Sequence, residues 1–208
     1  MQNAALAEPK QARAHATRKK LLKAASESLC ELGYAGMTTT EVAQRAGVSQ
    51  GALYKHFGSK HQLIAATTEH LFGMLIEDFQ KGLIENAGNE NRIQSLLQVL
   101  WAVFITPELY AVLDLYMVAR TNEPLRQALV PVLRQHRDNL RQAACMLFPE
   151  AAAENPRFQI AIESILSVMQ GAAVSAAVLP EIALDAEFTR FLEHLALREL
   201  EAPYGVPK

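Results

Sequence analysis

Residues 38–60 read TTTEVAQRAGVSQGALYKHFGSK, and this stretch decides the fold. Thr38, followed three positions later by Glu41, has the form of a capping box, in which hydroxyl and carboxylate each satisfy a free amide at a helix start. Val42, Ala43 and Ala46 then supply a short apolar stripe that stops at Gly47. Ser49 is placed to cap another short helix, from about Gln50 to Phe57, in which Leu53 and Phe57 share one face. Gly58-Ser59 breaks that helix and caps a longer one. Two short helices joined by a glycine turn make a helix-turn-helix. Such helices cross steeply only where the crossing residue is as small as Ala43, and the turn needs the positive φ that Gly47 adopts without strain. Val48 and Leu53 plug the seam, which leaves Gln50, Gly51, Ala52, Tyr54, Lys55 and His56 facing wholly or partly outward, where a DNA groove meets them.

On the N-terminal side, Leu22, Ala25, Leu29 and Leu32 recur at spacings of three and four, so a helix is expected from Thr17 until Gly33 stops it. Residues 1–16 are polar and Ala-rich with Pro9 and no apolar stripe, and read as a flexible basic arm. On the C-terminal side, Leu63, Leu71, Leu75 and Phe79 mark a helix to about Glu85. Further helices are expected near 91–105, from Pro107 to about Thr121, and from Glu123 to about Leu147 with a kink or split near Pro131. The last two are expected from Asn155-Pro156 to about Leu179 and from about Asp185 to Leu200, before Pro203. Strand alternation is nearly absent. The expected fold is all-α with about nine helices: a three-helix head at 17–59 and a helical domain at 60–203, for which ligand binding and dimerisation are argued below.

Half of the 208 residues are hydrophobic, as in an ordinary folded protein. The longest uninterrupted apolar run, Val99 to Ile105, is far short of the roughly 20 residues of a membrane span, and the charged N-terminus lacks a signal core. The expected location is the cytoplasm, without a membrane partner. Cys30 and Cys145 lie in helical patterns with no zinc spacing, and are expected to be buried thiols. A net charge of −2 hides an asymmetry: residues 1–60 hold nine basic against four acidic residues, the remainder 11 against 18. A positive head on a negative body suits a polyanion at one end. No Gly-rich phosphate loop, HExxH pair, nucleophile elbow or framed carboxylate pair points to an enzyme, a cofactor or a metal.

The combination Gly47-Val48-Ser49, Leu53-Tyr54, Phe57, Ser59-Lys60 and Leu63 resembles the tetracycline-repressor (TetR) family, over about Thr17 to Phe72. The resemblance implies a dimeric transcription repressor. It places Thr38, Thr40, Ser49, Tyr54 and Lys60 where the family grips phosphates, and Gln50, Gly51, Ala52, Lys55 and His56 on the recognition helix. Hydroxyls and amides at helix starts suit anions, Gln50 can pair with adenine, and Lys55 with guanine. Arg18, with Lys19 and Lys20, extends the basic surface toward the backbone or minor groove. Ala52 departs from the Thr or Ser common in the family, which removes a hydroxyl contact and offers a methyl to thymine.

For the second half, Phe158, Ile162, Ile165, Met169, Ala172, Ala173 and Ala176, with Phe188, Leu192 and Leu195, are expected to form a four-helix interface with a second copy. That dimer would set two reading heads about one DNA turn, roughly 34 Å, apart on a near-palindromic operator. Phe72, Met74, Trp101, Phe104, Tyr110, Leu113, Tyr116, Met117 and Met169 are candidate walls of a cavity for a small apolar effector. Asp114, Arg120, His136 and Glu163 are candidate polar anchors in it. The other reading open at this stage is a non-inducible DNA-binding or architectural helical protein.

Overall fold

The computed structural model describes residues 7–86, 88, 91–179 and 186–201, and ten α-helices lie among them. They are α1 (Ala7–Gly36), α2 (Thr39–Arg45), α3 (Gln50–Phe57), α4 (Lys60–Glu85), α5 (Arg92–Phe104), α6 (Pro107–Ala119), α7 (Glu123–Leu147), α8 (Pro149–Glu154), α9 (Phe158–Ala176) and α10 (Ala186–Leu200). The extra element is α8, a turn and a half too short for sequence periodicity to register. Asn155, expected to open a helix, instead closes α8, and its side chain accepts from the Arg157 amide at 2.9 Å.

Two further expectations shift. α1 begins at Ala7, so residues 7–16 of the expected arm are helical; residues 1–6 lie outside the described part. Alanines at 7, 12, 14 and 16 favour helix without needing an apolar face, and Pro9 falls in the first turn, where it removes no bonded amide. α7 is one helix through Pro131, which sits on its exposed side, where a carbonyl deprived of its partner can turn to water.

The chain forms two compact units. Of the described residues, the first comprises those up to Gly73 together with Ala111–Val132; the second comprises those in Met74–Tyr110 and from Leu133 onward. The boundary expected after Ser59 therefore falls inside the first unit, because Leu63, Ile64 and Leu71 of α4 are buried there with Leu21, Leu29, Met37 and Leu53. In this unit α1 packs on α2 and α2 on α3. Gly33 at φ 64° interrupts α1 where a left-handed residue was expected, and Gly47 at φ 67° makes the turn between α2 and α3.

In the second unit, α5, α8, α9 and α10 enclose Ile93, Leu97, Phe158, Ile165, Met169 and Leu192. Asn155 is buried and donates to the Glu199 carbonyl at 2.8 Å and to its carboxylate at 3.2 Å, while Arg157 and Arg198 reach that carboxylate at 3.1 and 2.9 Å. A nearly enclosed carboxylate is tolerable because it is paired and hydrogen-bonded at once. Cys30 and Cys145 are half-buried, not fully enclosed as expected.

Candidate nucleic-acid interface and ligand cavity

The head builds its outer surface from the ends of short helices. Thr38 adopts an extended backbone, and its hydroxyl accepts from the Glu41 amide at 3.1 Å; Ser49 does the same for Ala52 at 3.2 Å. Both hydroxyls therefore cap helices. The reciprocal half of the expected capping box is replaced: the Glu41 carboxylate accepts from the Ser28 hydroxyl and, at 2.8 Å, from Arg45 Nε. Arg45 also reaches Glu31 at 2.9 Å, so a chain of charge-assisted bonds fastens α2 to α1. Ala43 is buried at the crossing, and the Val48 amide donates to its carbonyl at 3.0 Å.

With that frame set, α3 buries Leu53 and Phe57 and turns the remainder outward. Gln50, Gly51, Tyr54 and Lys55 are exposed, and Ala52 and His56 are half-buried. Two of these side chains are held by consecutive residues of α2. The Gln50 amide donates to the Thr40 hydroxyl, and the Tyr54 hydroxyl lies 3.1 Å from Thr39 Oγ1. Thr39 was not singled out from sequence; its place between the capping Thr38 and Thr40 masked it. Arg18 is exposed, with its guanidinium 5.3 Å from the centre of the Phe57 ring, which carries the basic surface from α1 to the end of α3.

Lys60 is more committed than expected. Its ammonium donates to the Tyr34 carbonyl at 3.1 Å and sits 4.5 Å over the Tyr34 ring, and burial lowers its pKa. The Tyr34 hydroxyl in turn accepts from Asn122 at 2.9 Å, and the Asn122 side chain caps α7 by accepting from the Leu125 amide at 3.1 Å.

The second unit contains a cavity of about 490 Å³, within the range used for small-molecule sites. Leu75, Ile76, Phe79, Gln80 and Leu83 of α4 form one wall. His136, Asn139, Leu140, Gln142, Ala143, Met146 and Leu147 of α7 form another. Leu100, Val103, Phe104, Leu109 and Leu166 close it. Gly82 lets α5 approach α4 here: a Cβ at that position would stand 2.6 Å from Val99 Cγ1. Burial pushes the His136 imidazole down to about 4, so it is neutral near pH 7.

Of the expected cavity residues, Phe104 and His136 line this space. Phe72 and Leu113 are buried in the first unit, Met169 is fully enclosed in the core of the second, and Trp101 packs against that core. Asp114, Tyr116, Met117 and Arg120 are exposed, and Met74 and Tyr110 are half-buried away from the lining. Glu163 accepts from Arg137 at 2.7 Å and Arg141 at 2.6 Å and takes no part in the cavity. Bulk alone misled: large side chains fill a core as readily as they wall a void. The usable signal was the α7 stripe His136, Leu140, Ala143, Leu147, spaced four, three and four.

Half of the expected interface residues turn inward instead. Phe158, Ile165, Met169, Ala173 and Leu192 lie in the protomer's own core, and Ile162, Ala172, Ala176, Phe188 and Leu195 are half-buried. The opposite face of α9 and α10 is the apolar exposed one, with Ile160 at 65%, Val174 at 50% and Phe191 at 66% exposure, joined by Val168 and Leu197. α9 is also long and apolar enough to cross a membrane by length and composition, but one of its faces lies in this core.

A short capped helix pair presenting an exposed helix, together with a helical unit that holds a cavity, is the build of a helix-turn-helix protein. The family model described as bacterial regulatory proteins, tetR family, matches residues 21–67. The HTH-type transcriptional regulator BetI of Rhizobium meliloti is 34% identical over 139 residues, covering 66% of this chain and 68% of that protein. An uncharacterised HTH-type transcriptional regulator of Mycobacterium tuberculosis is 29% identical over 180 residues, covering 86% and 92%. Among solved structures, a putative TetR-family regulator from Rhodococcus sp. superposes with a TM-score of 0.68 at 20% identity, covering 90% of this chain and 100% of that one. The multidrug binding protein EbrR complexed with proflavin gives 0.60 at 19%, covering 86% and 99%. The chain belongs to the tetR family and regulates transcription by binding DNA, as the names of these relatives state for them.

Proposed function

We propose that this regulator is a homodimeric repressor that leaves its operator when a small apolar molecule enters the cavity of the second unit. The observation that carries the reading is the pairing of an exposed α3 surface, Gln50 to His56, with a largely apolar cavity lined by α4 and α7. Gln50 and Lys55 read base edges, the Ala52 methyl touches thymine, and Gly51 lets the backbone come close to the groove floor. Thr40, Tyr54 and His56 contact phosphates or flank the bases. Thr38 and Ser49 serve by aligning free amides of α2 and α3 toward the backbone. Lys60 adds charge at the start of α4, and Arg18 extends contact along the duplex.

Dimerisation uses the exposed α9 and α10 face around Ile160, Val168, Val174, Phe191 and Leu197, since apolar surface of this extent needs covering. A two-fold pair presents two α3 helices to a near-palindromic site. α4 runs without a break from Lys60 beside the head to the cavity wall at Leu83, so a ligand that favours one position of this helix changes the affinity of the heads for DNA. EbrR, whose fold the chain shares, is described as a multidrug binding protein, which supports a ligand role for the helical unit. Protein and operator function in the cytoplasm.

The test begins with selection of bound duplexes from random DNA, followed by band shifts with and without cavity ligands. Enrichment of a near-palindrome and its release by a bound ligand is the expected result. Salt-sensitive binding to every sequence alike would sink the reading.

A further inference from the structure

Among the described residues, the wall of the second unit's cavity carries no acidic or basic side chain of fixed charge. Its polar members are Gln80 from α4 and His136, Asn139 and Gln142 from α7; the other lining residues are aliphatic or aromatic, apart from the thioether of Met146. The charged residues interleaved with them turn elsewhere. Arg137 and Arg141 reach across to Glu163 on α9, and Asp138 stands 3.9 Å from Arg141. Glu77, Asp78 and Lys81 on α4 and Arg134 on α7 are exposed and do not border the cavity. The imidazole of His136 is neutral near pH 7 because burial disfavours its charged form, so one ring nitrogen donates and the other accepts. The Asn139 carbonyl oxygen accepts from Gln135 at 3.0 Å, so the group Asn139 offers a ligand is its N–H.

We propose that this cavity takes a neutral, largely apolar molecule bearing one hydroxyl, carbonyl or amide group that hydrogen-bonds to His136 and the α7 amides, and rejects organic acids and amines of the same shape. The inference deepens the effector reading above and rests on it for the place of binding. A carboxylate or ammonium drawn past the exposed Gln80, Asn139 and Gln142 to the half-buried His136 gives up water and meets no counter-ion, since Arg137 and Arg141 are balanced by Glu163 and Asp138. A single neutral polar group loses little, because donor and acceptor are both present on α7.

The test uses the full-length protein and the neutral fluorophore N-phenyl-1-naphthylamine, displaced at pH 7.5 by naphthalene and by its 2-hydroxymethyl, 2-carboxylate and 2-aminomethyl derivatives. The alcohol is expected to displace the probe at concentrations at least about tenfold below those of acid and amine. His136→Leu is expected to reduce the alcohol to the potency of naphthalene, while His136→Gln, which keeps a donor and an acceptor, retains most of the advantage. An acid or amine within about threefold of the alcohol overturns the proposal. So does failure of the whole series to displace the probe, or an unchanged alcohol preference in His136→Leu. Band shifts run with the same compounds separate the two readings: an alcohol that binds as expected but leaves the operator complex intact sinks the effector role and leaves the ligand class standing.

Discussion

In the head, Thr39 meets Tyr54 across 15 positions and Thr40 meets Gln50 across 10. In the second unit, Asn91 meets Glu193 across 102 positions at 2.6 Å, and Asn155 meets Glu199 across 44. The head sets its working side chains by contacts between neighbouring short helices, and those side chains project from a surface. The cavity is a space that exists only where α4, α5 and α7 fail to fill the volume between them. Local order suits a reading surface, whose value lies in the direction each side chain points. A void has to be enclosed by segments distant in sequence.

Ala43→Leu is the sharpest way to break the comparison. Extra methylenes at the buried crossing of α2 and α3 should cost roughly 1–3 kcal/mol by thermal melt and abolish operator binding. Probe binding in the cavity should survive; its loss would show that the two units do not separate as described. Next in size, Gln50→Ala should flatten the preference at one base pair by roughly 1–3 kcal/mol in competition band shifts. Thr40→Val, which removes the hydroxyl that holds the Gln50 amide, should give a smaller loss at the same base pair. An effect spread evenly over all sequences would reassign Gln50 to the DNA backbone.

Gly82→Ala tests the other region. Its Cβ would meet Val99 at 2.6 Å, so α4 and α5 must separate, at a cost on the order of 1 kcal/mol. Probe affinity should change while operator affinity without ligand stays the same. The smallest effect is acid sensitivity. His136 has its folded-state pKa lowered to about 4, so the unfolded chain takes up this proton first as the pH drops below 6.5. Stability from this group is intact above pH 6.5 and declines toward pH 4, on the order of 1 kcal/mol at pH 5 after allowance for partial exposure. His136→Leu should melt with a flatter pH profile over that interval, and parallel profiles for the two proteins would place the imidazole in water.

The sequence reading reached the helix-turn-helix because each of its signals is local. Thr38, Ser49, Gly33 and Gly47 act on amides or dihedral angles within a few residues, and all four do in the structure what their types require. The same reading gave Lys60 wholly to phosphate, since nothing in its neighbourhood announces Tyr34, 26 positions away. It also put Met169 in both the cavity and the interface, whereas the residue is fully buried in the core.

Apart from α8 and the start of α1, the order, type and approximate ends of the helices, together with the outward face of α3, follow from residue spacing, because backbone hydrogen bonding and capping reach no further than one or two turns. Which side of α9 turns inward, and whether an aromatic ring on α5 fills a core or borders a hollow, was decided only when the helices packed. A helix such as α9 has apolar residues on two faces, and periodicity records their spacing without recording which neighbour arrives.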